Sequence, residues 1–269
     1  MPDTHPDAPP DTTRDLVSDE TVARYREQGL VRIPDVLTPE EVDRLLATAL
    51  EQLDEAEAEM VAWDRPDGRV MDWVPHADRK SADLRALALH PKITAIAERL
   101  AGAPLRMFKS ELLRKSVGGS APTPLHADAP AIPFRGRPVG MTAWVALTDV
   151  MVERGCMTYV PGSHLVPHER DEAPPGERPD PFGCPSNLVW EPRVTVPLRA
   201  GDCTFHHERV LHLAGPNETG QVRVSLATVY MDADAVFEPS ALVPDDLGGM
   251  TPGQTFDDER LFPLIGAGR

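Results

Sequence analysis

The sequence predicts a mainly β domain, a sandwich or barrel, with α-helices flanking it on the N-terminal side. Three observations carry this expectation. Up to about residue 104, apolar positions recur at helical spacing between recognisable caps. After Leu105 the pattern changes to short β-rich runs such as RMFKSELLRK, GMTAWVALTDV, CMTYVPG, RVTVPL, CTFHHERVLHLA and QVRVSLATVYM. Gly and Pro separate those runs at the spacing of an all-β fold, and no internal repeat is present.

Taken in order, residues 1–15 are rich in Pro, Asp and Thr without apolar periodicity. They cannot bury enough surface to offset their ordering entropy, so a disordered tail is expected ahead of a single domain over 16–269. Ser18 is placed to cap a helix running through Val22 and Tyr25 to Gly29, and LVRIPDV (30–36) then alternates like a short strand interrupted by Pro34. Thr38, Pro39 and Glu41 form a capping box, followed by Val42, Leu45, Leu46, Ala49, Leu50 and Leu53 at helical spacing. A third helix starts at Pro91, puts Ile93, Ile96, Ala97 and Leu100 on one face, and is closed by Gly102. The stretch 165–193 is too rich in Pro and charge to be core and reads as a lid or an insertion.

Composition bounds the function. With 27 basic and 43 acidic residues, the net charge of −16 repels phosphate backbones and anionic lipid heads, so neither nucleic acid nor membrane is expected as a partner. The three cysteines, Cys156, Cys184 and Cys203, contain no CxxC pair and support neither a disulfide framework nor a cysteine zinc site. The opening MPDTHPDAPPDTTRD has no apolar signal-peptide core, and no run of about eighteen apolar residues occurs. A reducing, cytoplasmic setting is expected.

His126 and Asp128 stand in PLHADAP with one residue between them, so on an extended segment both side chains face the same way and could share a metal ion. Alone, such an HxD pair is more often a polar pair in a surface loop. The second half of the pattern is HLAGPNETGQVRVS, where His212 ends one strand, a Gly-Pro-Asn turn follows, and Arg223 sits on the returning strand. There Arg223, Ser225, Ala227 and Val229 share one face, while Val222, Val224, Leu226 and Tyr230 form a more apolar face suited to packing on the helices. An inward-facing arginine needs an anion. Two histidines and a carboxylate suit Fe(II) and leave three octahedral positions for a bidentate co-substrate and O2. A dicarboxylic 2-oxo acid meets both requirements, chelating the metal at one end and reaching the guanidinium with its distal carboxylate.

These segments, in this order, resemble the phytanoyl-CoA dioxygenase-like family of Fe(II)/2-oxoglutarate oxygenases. The resemblance runs from YREQGLVRIPDVLTPEEVDRLL through LLRKSVGGSAPTPLHADAP and TAWVALTDVMVERGCMTYVPGSH to GDCTFHHERVLHLAGPNETGQVRVS. It implies a double-stranded β-helix, or jelly roll, with His126, Asp128 and His212 on iron and Arg223 on the distal carboxylate of 2-oxoglutarate. It also implies that Trp144 lines the co-substrate pocket, and Thr142, on the same strand face, is placed to hydrogen-bond the co-substrate. Both could equally be core residues. Ala214 stands where some members carry a serine that bonds the co-substrate, a role Ser225 could take over. The family's halogenases replace the carboxylate by a small residue, so Asp128 implies hydroxylation or a related cyclisation, epimerisation or desaturation.

Other residues carry weaker signals. Of His206 and His207 only one can point inward, and both read as structural, as does His164 in its tight Pro-Gly bend. Lys115 and Glu111 lie on the strand before the HxD segment without an assigned role. His168 reads as exposed, and Trp63, Trp73 and Trp190 either line a substrate mouth or fill core. Asp171, Glu172, Glu177 and Asp180 make 165–193 acidic, which reads either as a solvated loop or as an attraction for a cationic substrate, and the net charge of −16 adds the expectation of a neutral or cationic small molecule. The Arg-, Ala- and Pro-rich composition, typical of GC-rich coding sequence, adds the expectation of an antibiotic intermediate. The alternatives are a metal-binding jelly roll without catalysis, a phytanoyl-CoA-type acyl hydroxylase, and a zinc hydrolase, in which Arg223 would lack its dicarboxylate.

Overall fold

The computed structural model describes residues 17–55, 61–66, 68–136, 140–166, 188, 190–239, 247 and 249–266. The expected tail and most of the 165–193 segment, with His168, Asp171, Glu172, Glu177, Asp180 and Cys184, lie outside the described residues. Among the described residues no helix is long and apolar enough to cross a membrane.

The N-terminal elements follow their caps. Helix α1 (Asp19–Gln28) begins at Ser18, whose side chain accepts from Thr21 N, and ends at Gly29 in the left-handed region at φ 76°. Strand β1 (Leu30–Ile33) stops just before Pro34, which has no N–H to offer a ladder. Helix α2 (Pro39–Glu55) opens with a reciprocal capping box: Thr38 N donates to Glu41 Oε2 at 2.8 Å, and Glu41 N donates to Thr38 Oγ1 at 3.2 Å. Two short helices, α3 (Ala77–Lys80) and α4 (Ala82–Ala88), precede α5 (Pro91–Ala101), which Gly102 closes at φ 70°. Between α2 and α3 stands a hairpin of β2 (Val61–Arg65) and β3 (Gly68–Pro75) that the helical reading of this third did not include. Its signal, Pro-Asp-Gly between two runs bearing Val and Trp, is a turn signature.

The remaining strands are β4 (Leu105–Lys115), β5 (Thr123–His126), β6 (Phe134–Arg135), β7 (Met141–Ala146), β8 (Met157–Tyr159), β9 (Val194–Val196), β10 (Cys203–His207), β11 (His212–Ala214), β12 (Arg223–Asp232) and β13 (Val236–Phe237). They form a seven-stranded antiparallel sheet in the order β1-β10-β7-β12-β4-β3-β2, a four-stranded sheet β5-β11-β8-β9, and the small pair β13-β6. This is the jelly roll with buttressing helices.

Alternation along the central strands assigns each face. Val224, Leu226 and Tyr230 of β12, Met141, Ala143 and Val145 of β7, and Cys203 and Phe205 of β10 pack in one cluster with Val42, Leu45, Ile93, Ile96 and Leu100 of the helices. The opposite face turns Trp144, Ala146 and Ala227 toward Met157, Tyr159 and Ala214 of the smaller sheet. On β4 the parity changes. A bulge opposite Val229/Tyr230 lets Met107 face the helices and still turns Lys109, Glu111 and Leu113 to the interior between the sheets.

Truncation of Leu226, fully buried between sheet and helices, to alanine is expected to cost about 2–5 kcal/mol in urea unfolding. The same change at Val152, 61% exposed, should stay within about 0.5 kcal/mol. Equal effects at the two positions would contradict this assignment of the core.

Candidate active site

A cavity of about 590 Å³ opens between the two sheets, and His126, Asp128, His212 and Arg223 all line it. Strand pairing brings the two histidines together, because His212 on β11 is the direct partner of His126 on β5. Their ring centroids lie 4.2 Å apart. Asp128 arrives differently from the extended arrangement expected. Strand β5 ends at His126, and Asp128, at φ −74° and ψ −31°, caps a single 3₁₀ turn over Ala129–Ala131. That turn carries its Oδ1 to 3.8 Å from His126 Nε2 and 3.6 Å from His212 Nε2. One donor atom from each of the three residues lies within 4.8 Å of the others.

The donor set fits a divalent metal such as iron. Both rings are oriented through their other nitrogen: His126 Nδ1 donates to Pro124 O at 2.8 Å, and His212 Nδ1 donates to Val210 O at 3.0 Å. Each Nε2 lone pair is thereby left toward the cavity. Burial, with His126 beside it, pushes the His212 imidazole down to about 3, so the ring is neutral at physiological pH and its lone pair is available. Burial alone would raise the Asp128 carboxyl, but the surrounding imidazoles, His212 foremost, outweigh it and hold the group well below the usual carboxylate range. Two imidazoles and one carboxylate are the mixed N and O face that suits Fe(II).

At the cavity's other end Arg223 is 1% exposed and has no acidic partner among the described residues. It donates from one terminal nitrogen to Gly155 O at 3.1 Å, its guanidinium carbon sits 5.2 Å from the Trp144 ring centroid, and its Nε is unpartnered. Burial pulls it down to about 10, so it remains a cation in need of an anion. Two buried hydroxyls nearby are also unpartnered, Ser225 Oγ, two residues along the same strand face, and Thr123 Oγ1 on the cavity wall. A carboxylate-bearing ligand would satisfy this group of donors. Gly155 is required here: at φ 75°, a Cβ would stand 2.8 Å from Gly215 O and 3.1 Å from Lys115 Cδ.

Lys115 is the direct cross-strand partner of Arg223 and is fully buried. Its ammonium donates to Val70 O at 3.1 Å and Ala121 O at 2.7 Å, tying β3 to the approach of β5. Trp144 and Thr142 both line the cavity, and the Thr142 hydroxyl donates to Asp128 Oδ2 at 2.8 Å. Glu111 is also on the wall, ion-paired with Lys109 at 2.8 Å. Trp73 lines the cavity with Met71, whereas Trp190 is 93% exposed; Trp63 lies on β2. His206 points inward, its Nε2 3.3 Å from Asp128 Oδ2, while His207 turns toward His164, which bonds Arg26 O. Met71 and Lys109 are wall residues that the sequence does not mark, Lys109 because the β4 bulge sets its facing.

Lys115 yields a pH prediction. Burial, then the nearby Arg223, pull its ammonium from 10.5 down to about 7. The unfolded chain therefore binds the extra proton between these values, and stability rises with pH across that window. Chemical denaturation of wild type and Lys115→Met at about pH 7 and about pH 9 should show the wild type gaining relative to the variant. A constant difference between the two would contradict it.

A family model for phytanoyl-CoA dioxygenase (PhyH) matches residues 25–225. Among curated proteins, the peroxisomal phytanoyl-CoA dioxygenase of Mus musculus is 24% identical over 227 residues, 82% of this chain and 64% of that protein. The chain thus spans a little under two thirds of that relative's length. Among solved structures, the non-heme alpha-ketoglutarate-dependent epimerase SnoN from nogalamycin biosynthesis is 45% identical with a TM-score of 0.82, covering 96% of this chain and 100% of that one. A second SnoN structure holds Fe3+, alpha-ketoglutarate and nogalamycin RO. The alpha-ketoglutarate-dependent carbocyclase SnoK, from the same biosynthesis, is 41% identical with a TM-score of 0.83, covering 93% of this chain and 97% of that one.

Proposed function

This chain belongs to the phytanoyl-CoA dioxygenase (PhyH) family, and from that premise we propose that it is an Fe(II)- and 2-oxoglutarate-dependent oxygenase that oxidises a C–H bond of a small-molecule antibiotic intermediate. In the reading proposed, His126, Asp128 and His212 hold the iron and Arg223 holds the distal carboxylate of 2-oxoglutarate. The single observation that carries it is a fully buried guanidinium with no acidic partner among the described residues, lining the same cavity as a clustered His, Asp and His triad. A metal site that was merely structural would leave that cation, and the two unpartnered hydroxyls, without a purpose.

Iron, when bound, supplies the activation of O2 that is coupled to conversion of 2-oxoglutarate into succinate and carbon dioxide. The chain's own residues do the rest. Arg223 offers its unpartnered Nε and a terminal nitrogen to one carboxylate, and the Trp144 ring beneath it fixes the guanidinium's plane. Thr123 and Ser225 present hydroxyls that can complete the carboxylate's hydrogen bonds, which suits a chain with Ala214 in place of a serine. Met71, Trp73, Leu113, Ile132 and Val229 give the remaining wall an apolar lining that holds the body of a substrate and excludes water. The Lys109–Glu111 pair is set in that wall as one donor and one acceptor for a polar substituent.

The two nogalamycin-biosynthesis relatives, both similar over almost their full length, support an antibiotic intermediate as the substrate class. The net charge of −16 favours a neutral or cationic molecule over a polyanionic thioester. Hydroxylation, ring closure and epimerisation all start from the same removal of hydrogen, and substrate geometry decides among them.

The reading is tested by oxygen uptake and succinate release from Fe(II)-loaded protein. His126→Ala should abolish both. Arg223→Gln should raise the KM for 2-oxoglutarate about 10–100-fold, the loss of a charge-assisted pair worth about 1.5–3 kcal/mol. Unchanged turnover in His126→Ala would overturn the assignment.

A further inference from the structure

Asp128 presents its two oxygens to different surroundings. Oδ1 is the atom near both ligand histidines, at 3.8 and 3.6 Å. Oδ2 is turned to the seven-stranded sheet, where the Thr142 hydroxyl donates to it at 2.8 Å and His206 Nε2 at 3.3 Å. Thr142 and His206 are direct cross-strand partners on β7 and β10, both facing the cavity, with 4% and 1% exposure. A carboxylate oxygen has about two lone-pair positions, so these two donors fill Oδ2.

A further chain of hydroxyls sets the tautomer of His206. The Tyr159 hydroxyl lies 3.4 Å from His206 Nδ1 and 3.0 Å from Thr204 Oγ1, and all of these groups are buried. Read as Thr204 to Tyr159 to His206 to Asp128, every hydroxyl donates once, and His206 accepts at Nδ1 and donates from Nε2. In that state it gives a hydrogen bond and has no lone pair aimed at the metal position. Thr142 is β-branched on a strand, so its hydroxyl has few rotamers and is aimed by the backbone.

We propose that Thr142 and His206 are positioning residues that commit one oxygen of Asp128 to the protein and reserve the other for the metal, so that the carboxylate binds through a single atom. The proposal rests on His126, Asp128 and His212 being the ligands. Released from this hold, the carboxylate could turn both oxygens to the metal and take a position that the co-substrate needs. Orienting partners of this kind are commonly worth about 10–100-fold in metal affinity.

The test is an anaerobic titration with Co(II), followed through its visible d–d absorption, in wild type, Thr142→Val, Thr142→Ser, His206→Leu and His206→Gln, with circular dichroism to check folding. Thr142→Val and His206→Leu should each weaken Co(II) binding about 10–100-fold and change the band intensity. Thr142→Ser and His206→Gln, which keep a donor in place, should recover most of the affinity and the wild-type spectrum. If the valine variant fails to fold, Thr142→Ala replaces it with the same expectation. Wild-type affinity and spectrum in both donor-deleted variants would overturn the proposal. Equal Co(II) binding by wild type and His126→Ala would instead overturn the ligand assignment beneath it.

Discussion

The Arg223 guanidinium lies 1% exposed at one end of the inter-sheet cavity, leaning on the Trp144 ring at 5.2 Å and bonded to Gly155 O at 3.1 Å. Its cross-strand neighbour is another buried cation, Lys115. Taking two positive charges out of water costs several kcal/mol for each unless something negative or strongly dipolar meets them. Lys115 meets two backbone carbonyls and is pulled down to about 7, which lowers its share of that cost. Arg223 cannot follow, since even at about 10 it stays protonated. The fold therefore maintains an anion-demanding end in its cavity, and the packing of the central sheet must support it. That is why β12 divides so cleanly, with Val224, Leu226 and Tyr230 in the helix-packed core and Arg223 on the cavity side.

The other end of the cavity has the opposite electrostatics. Asp128 brings one negative charge among imidazoles, two of which are fixed through Nδ1 to backbone carbonyls. Such a site is prepared for a cation, and a ligand that reaches from it to Arg223 must be negative at its far end. The two ends belong to different sheets, with His126 and His212 on the smaller and Arg223 on the larger. Packing of Trp144, Ala146 and Ala227 against Met157, Tyr159 and Ala214 is what holds them in one cavity.

Much of this was legible in the chain itself. Ser18, the Thr38/Glu41 box and Gly102 marked helix ends because capping is local chemistry, satisfied by residues within a few positions. The alternation on β12 was readable because Val222, Val224, Leu226 and Tyr230 make one face the more apolar. The β2–β3 hairpin was missed although Pro-Asp-Gly marked its turn, since it lies inside a helix-rich third. The bulge on β4 has no sequence signature and reverses which residues face inward, so the place of Lys109 could not be read. Asp128 was expected on an extended strand, but the chain turns immediately after His126. The roles of Thr142 and His206 depend on cross-strand register and on a loop from the other sheet, long-range information that spacing along the chain does not carry.

The most direct test of the account is an anaerobic titration of the Fe(II)-loaded protein with 2-oxoglutarate, watched through the visible charge-transfer absorption of the chelate, beside 2-oxobutyrate, which chelates identically but has no distal carboxylate. The account predicts a saturable band with 2-oxoglutarate at one equivalent, and far weaker binding of 2-oxobutyrate, with the difference lost in Arg223→Gln. Equal affinity for the two acids in the wild-type protein, or no band with either, would contradict it.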